Sequence, residues 1–150
     1  VIMSRFQSSG KGQRSSNWTS TENQNLLFSV ILDTSFLNPA DIFKLSKAVS
    51  ISLKRALSEI ISNDVSIKWP NDIYVKEKKI AGILIENLVF KKSIHNAVVG
   101  IGVNVIQTNF NNLKATSIFN EIKKEVEIIN FLQIFKDILM KEYLKIDSLD

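Results

Sequence analysis

Residues 65–90 read VSIKWPNDIYVKEKKIAGILIENLVF, and this stretch decides the fold. Residues 65–69 alternate between apolar and polar, the period of a half-buried strand, and Pro70 stops that strand. Ile73, Tyr74 and Val75 open a second strand. The charged run Lys76-Glu77-Lys78-Lys79 turns the chain, and residues 80–90 return, which predicts a hairpin. Between the strands Lys68, Trp69, Asn71 and Asp72 crowd around one proline. Such a cluster fits a type I turn, with Asp72 capping a backbone N–H and Lys68 reaching outward. It also fits a site that holds a carboxylate or phosphate between a fixed cation and polar groups.

Outward from this hairpin, residues 26–32 form an apolar run with one serine, read as a buried strand. Asn38-Pro39 gives a helix start. Ile42, Leu45, Val49, Leu53, Ala56, Leu57 and Ile60 then recur at spacings of three and four, one face of an amphipathic helix ending near Ser62-Asn63. Residues 1–6 read as the end of a strand and residues 8–20, rich in Gly, Ser, Lys and Arg, as a loop. Residues 97–106 form a further strand, residues 109–114 a loop, and Phe131, Phe135, Ile138, Leu139 and Tyr143 line one face of a last helix. Strands cluster together rather than alternating with helices. This predicts one α+β domain over residues 1–150, with a mixed, mainly antiparallel sheet and helices on one side.

Composition narrows the function classes. The 150 residues are 45% hydrophobic and 23% charged, ordinary for a globular domain. A net charge of +4 spread along the chain lacks the clustering of a nucleic-acid footprint. With no cysteine, disulfides, thiolate nucleophiles and Cys-zinc sites are excluded, and the single histidine, His95, excludes a His-rich metal site. No apolar run approaches the roughly 18 residues of a membrane span, and no secretory pattern opens the chain, so a cytoplasmic protein is the default expectation. The chain opens at Val1 inside a strand pattern, which we read as a piece lacking its N-terminal part.

Two more segments carry chemistry. In Gly10-Lys11-Gly12-Gln13-Arg14 the glycines let backbone N–H groups approach an anion and two cations add charge. The segment matches neither a P-loop nor a dinucleotide fingerprint, and alone it also fits a solvated loop. In Gly100-Ile101-Gly102-Val103-Asn104-Val105, glycines inside a strand suggest a bulge or the close approach of another group. The Asn104 amide needs partners there, either a ligand edge or a neighbouring backbone. Glu86 reads as a strand-end charge, and His95 as a surface histidine in a loop.

Together the three segments resemble the biotin protein ligases (biotin–[acetyl-CoA-carboxylase] ligases). Their pattern GRGRxxRxW, KWPNDI/L with KxAGILxE, and GIGxNVN is matched by GKGQRSSNW, KWPNDIYVKEKKIAGILIE and GIGVNV, from about Arg5 to Ile106. The resemblance implies a catalytic domain related in fold to class II aminoacyl-tRNA synthetases. It implies two steps: biotin and ATP give biotinyl-5′-AMP and pyrophosphate, then a lysine of a biotin carboxyl carrier protein takes the biotin and releases AMP. Mg²⁺ on the phosphates is expected. By position, Lys68 is the lysine assigned to the biotin carboxylate and α-phosphate. Gly10, Lys11, Gly12, Gln13 and Arg14 form the loop that closes over biotin and adenylate, with Arg14 as a second catalytic cation. The resemblance also implies that Gln7 contacts the biotin ring, that Trp18 lies near the nucleotide and Asn104 near adenine. Asn71, Asp72 and Gly82 belong to the signature.

The chain departs from the pattern in three ways. Gln13 stands where the family has arginine, so it keeps hydrogen bonds and loses a charge. The upstream Ser-Thr-Asn segment that contacts the biotin ring is absent, and so are the C-terminal barrel and any DNA-binding module. A non-catalytic binding domain of the same fold is the rival reading. A lipoate ligase is disfavoured, because its RRxSGGGxVxH-type segment is missing. The oligomeric state is left open, a homodimer included.

Overall fold

The computed structural model describes residues 1–13, 16–90 and 93–146. Its strands are β1 (Ile2–Ser4), β2 (Gly10–Lys11), β3 (Asn17–Trp18), β4 (Asn25–Asp33), β5 (Val65–Lys68), β6 (Asp72–Val75), β7 (Lys78–Phe90) and β8 (Ser93–Asn104). The helices are α1 (Ile42–Ser58), preceded by one 3-10 turn at Pro39–Asp41, α2 (Ile118–Ile122) and α3 (Ile128–Tyr143). Six strands form one sheet in the order β1-β4-β8-β7-β6-β5, every neighbouring pair antiparallel. A parallel bridge joins Lys79 to Ala115 in the loop before α2. The α+β expectation holds, with the parallel component reduced to that bridge.

The period-2 pattern sorts each strand into two faces. Leu26, Phe28, Val30, Ile73, Val75, Ala81, Ile83, Val99, Ile101 and Val103 face the helices and are buried. Against them α1 presents Leu45, Val49, Leu53, Ala56 and Leu57, all fully buried at the predicted spacing. From α3 come Phe131, Phe135 and Leu139, and the Phe135 ring meets Phe28 edge-on at 5.4 Å. Both long helices lie on this face, so side chains of the other face are free to build a site.

Three boundaries differ from expectation. Helix α1 stops at Ser58, although Ile61 N–H still donates to the Leu57 carbonyl and Ile61 is buried, so the apolar pattern outlasts the helix. Strand β8 begins at Ser93, which moves His95 from a loop onto a strand, where its side chain is exposed and its carbonyl accepts from Thr34 N–H. Inside residues 8–20 the chain makes the small hairpin β2–β3, pairing Gly10 with Trp18 and Lys11 with Asn17. Strands of two residues have no period to read.

Candidate active site

Pairing across the sheet builds the open face row by row. One row runs Lys68, Asp72, Gly82, Gly102, Leu27, Ser4. The next runs Leu84, Gly100, Ser29, Ile2. A third holds Glu86, Val98 and Ile31. Glycines at the centre of two rows leave a hollow, and the hairpin β2–β3 lies over it. The result is a cavity of about 450 Å³ between sheet and hairpin. That lies within the roughly 300–1,000 Å³ usual for small-molecule sites.

The floor includes Gly82, Leu84, Ser29, Gly100 and Val98, and the roof Lys11, Gly12, Gln13, Ser16 and Trp18. Pro70, Asn71, Asp72 and Lys79 form one wall, and Gln7 and Glu86 also line the space. The wall is tied in place by Asn71. Its side-chain N–H donates to the Ile83 carbonyl, while its own carbonyl accepts from Ile83 N–H at 3.1 Å. The Trp69–Pro70 peptide is cis, and Trp69 points away into solvent beside Phe43.

The cation on this wall is Lys79. Lys79 and Gly82 are three residues apart and in a regular strand would face opposite ways. The ladder slips by one residue where Ile73 pairs with Ala81 and Tyr74 with Lys79, and this bulge brings both onto the open face. Lys79 Nζ then stands 2.8 Å from Asp72 Oδ1 and 5.7 Å from the centre of a Trp18 ring. The lysine's backbone is held as well. Its N–H donates to the Lys114 carbonyl and its carbonyl accepts from Thr116 N–H, both at 2.9 Å.

The sequence-nominated residues separate into two groups. Gln7, Lys11, Gly12, Gln13, Trp18, Asn71, Asp72 and Gly82 come together around the cavity. Gly10 is buried behind it, so close to Gln7 that an added Cβ would stand 2.9 Å from Gln7 Oε1. Lys68 is outside: its side chain is exposed and Nζ lies 4.9 Å above the Tyr74 ring. Asn104 is buried and also outside, its Nδ2 donating to the Thr116 carbonyl at 3.0 Å, which is the backbone-partner alternative. Gly12 N–H donates to the Ser16 carbonyl at 2.7 Å, so it closes the hairpin rather than presenting a free donor to an anion. Arg14 lies outside the described residues. Sequence reasoning passed over Lys79 and Ser29 and read Glu86 as a strand-end charge.

Residues 1–104 match the Biotin/lipoate A/B protein ligase family. The bifunctional ligase/repressor BirA of Escherichia coli K12 is 31% identical over 105 residues, which cover 70% of this chain and 32% of that protein. A biotin protein ligase from Aquifex aeolicus, solved in complex with biotin and ATP, superposes with a TM-score of 0.78 at 30% identity, over 95% of this chain and 60% of that one. The Helicobacter pylori biotin acetyl coenzyme A carboxylase synthetase, solved with bound biotinylated ATP, gives 0.66 at 26% identity, over 94% and 60%. The chain thus spans about a third of BirA's length. It belongs to the biotin/lipoate A/B protein ligase family. Within that family it is a biotin protein ligase catalytic domain, with the class II aminoacyl-tRNA synthetase-like fold.

Proposed function

We propose that this domain activates biotin with ATP and passes it to a lysine of a biotin carboxyl carrier protein, that of acetyl-CoA carboxylase or a related carboxylase. The observation that carries the reading is Lys79, a cation fixed by Asp72 in the wall of a cavity that also offers an apolar floor. Biotin suits such a space, with an aliphatic chain for Leu84, Val98 and the glycines and a carboxylate for the ammonium. In the first step the biotin carboxylate oxygen attacks the α-phosphorus of ATP. The bond to the bridging oxygen breaks, and pyrophosphate leaves. Two anions must approach, and a preset cation lowers that barrier. Lys79 takes this role in place of Lys68, because Lys79 reaches the cavity. Lys11 in the roof is the second cation. In the second step a carrier lysine amine attacks the mixed anhydride, and AMP leaves.

Mg²⁺ would arrive on the ATP phosphates and supply charge neutralisation there. Among the described residues no group of three or more His, Cys, Asp or Glu is placed to hold a metal ion. Asp72 and Glu86, which line the cavity, would be the carboxylates available to the water shell of such an ion. Gln13 keeps the roof's hydrogen bonding without the family arginine's charge, and catalysis survives on Lys79 and Lys11, with Arg14 a further cation. Among the described residues no helix is long and apolar enough to cross a membrane.

The test is biotin-dependent exchange of labelled pyrophosphate into ATP. Exchange is expected. Biotin binding without exchange would replace the ligase reading with that of a non-catalytic binding domain.

A further inference from the structure

Gly82 and Gly102 face each other across β7 and β8, and the indole of Trp18 lies on both. A Cβ on Gly102 would stand 2.6 Å from Trp18 Cε2, 2.8 Å from Cζ2 and 2.9 Å from Nε1. A Cβ on Gly82 would stand 3.2 Å from Cζ3 and 3.4 Å from Cε3. Among the described glycines none has a positive φ, so the backbone at both positions accepts any L residue. What requires glycine at Gly102 is the space taken by the indole, while at Gly82 the indole shares that space with Lys79 Cε, 3.4 Å from the added Cβ. Gly100, two residues along the same face, meets nothing nearer than 3.6 Å, and its neighbours do not include Trp18.

Among the described residues the hairpin β2–β3 pairs with itself and makes no ladder hydrogen bonds to the six-stranded sheet. Trp18 is its large apolar contact with the floor, and the Lys79 ammonium lies 5.7 Å from the centre of a Trp18 ring. Trp18 Nε1 is buried without a hydrogen-bond partner.

We propose that the Gly82–Gly102 pair is a socket for Trp18, and that seating the indole closes the hairpin over the cavity and sets how fast the cavity's ligand leaves. The two glycines are positioning residues acting through Trp18. The ligand part rests on the biotin reading above; the socket itself does not.

The experiment uses the whole chain carrying Trp69→Phe, which leaves Trp18 as the fluorophore; Trp69 is 71% exposed. Without ligand, Gly102→Ala moves Trp18 emission to the red, Gly82→Ala does so less, and Gly100→Ala leaves it in place. With biotin, stopped-flow release is about tenfold faster or more in Gly102→Ala, a change equivalent to about 1.4 kcal/mol. In a Trp18→Ala background, release is already fast and adding Gly102→Ala changes it no further. Unchanged emission in Gly102→Ala would overturn the socket. So would an equal effect of Gly102→Ala on release with and without Trp18. If Gly102→Ala does not fold, Gly82→Ala and Trp18→Ala decide by the same readouts. A parent protein that binds no biotin, yet shows the graded emission shifts, keeps the socket and overturns the biotin reading alone.

Discussion

Lys79 Nζ and Asp72 Oδ1 stand 2.8 Å apart on the open face of the sheet, each side chain about a third exposed. Their meeting depends on the one-residue slip between Ile73 and Tyr74, which turns Lys79 toward the cavity. At that exposure the ion pair contributes under about 1 kcal/mol to stability. Its consequence is the aim of the ammonium.

Lys79→Ala is therefore expected to lower biotin-dependent pyrophosphate exchange by about 10²–10³-fold, the usual effect of removing one preset charge-stabilising group. Lys68→Ala, which removes a cation resting on Tyr74, should lower it less than about tenfold. A larger loss from Lys68→Ala would return the catalytic role to that residue.

Asn71 holds the wall through two bonds to Ile83, one of them from its buried amide. Asn71→Ala leaves the Ile83 carbonyl without that donor and should cost about 1–3 kcal/mol. For a domain of this length that is a melting point lower by roughly 2–4 °C per kcal/mol. Thermal unfolding followed by circular dichroism checks it.

Helices α1 and α3 are joined by Arg55 Nη1 and Glu142 Oε1 at 2.5 Å, with the glutamate side chain 8% and the arginine 58% exposed. Arg55→Ala takes the guanidinium from a buried carboxylate and should destabilise by about 1–3 kcal/mol. Arg55→Ala combined with Glu142→Leu should recover most of that loss. Denaturant midpoints at constant slope would show both effects.

The pH dependence has two identifiable edges. Burial, and then the nearby Asp33 carboxylate, raise the Tyr143 phenol above its ordinary value of 10.0. The folded chain holds this proton more tightly than the unfolded chain. The stabilisation is complete below about pH 10 and is lost as pH rises through the folded value. Tyr143→Phe, which also removes the hydrogen bond from the phenol to the Asp33 carbonyl, should flatten the alkaline fall in melting temperature. The Asp33 carboxyl is lowered below 3.8, chiefly by hydrogen bonds from Ser35, so its contribution is present above that pH and lost below it. Asp33→Asn should flatten the acid edge.

The long strands and both long helices were legible because burial imposes a period on them. Leu45, Val49, Leu53 and Phe135 fell where spacing put them. The roof's glycines and Lys11 stood out in the sequence, though the hairpin did not, since two-residue strands carry no pattern. Lys79 was hidden in the run Lys76–Lys79, which looks like an ordinary charged turn. The slip that re-aims it is a property of two paired strands and is written in neither alone. For Asn104 the sequence left a ligand edge and a backbone partner open, because the Thr116 carbonyl that its amide meets belongs to a loop twelve residues on.

The bridge between Lys79 and Ala115 bears on where this domain can be divided. Every quoted motif ends by residue 105, and the stretch shared with the family ends at residue 104. Yet both backbone bonds of Lys79 run to Lys114 and Thr116, and Asn104 moors Thr116. A shortened version ending at Val105 would keep each signature intact and lose the mooring of its ammonium. The smallest functional unit is thus longer than the smallest recognisable one.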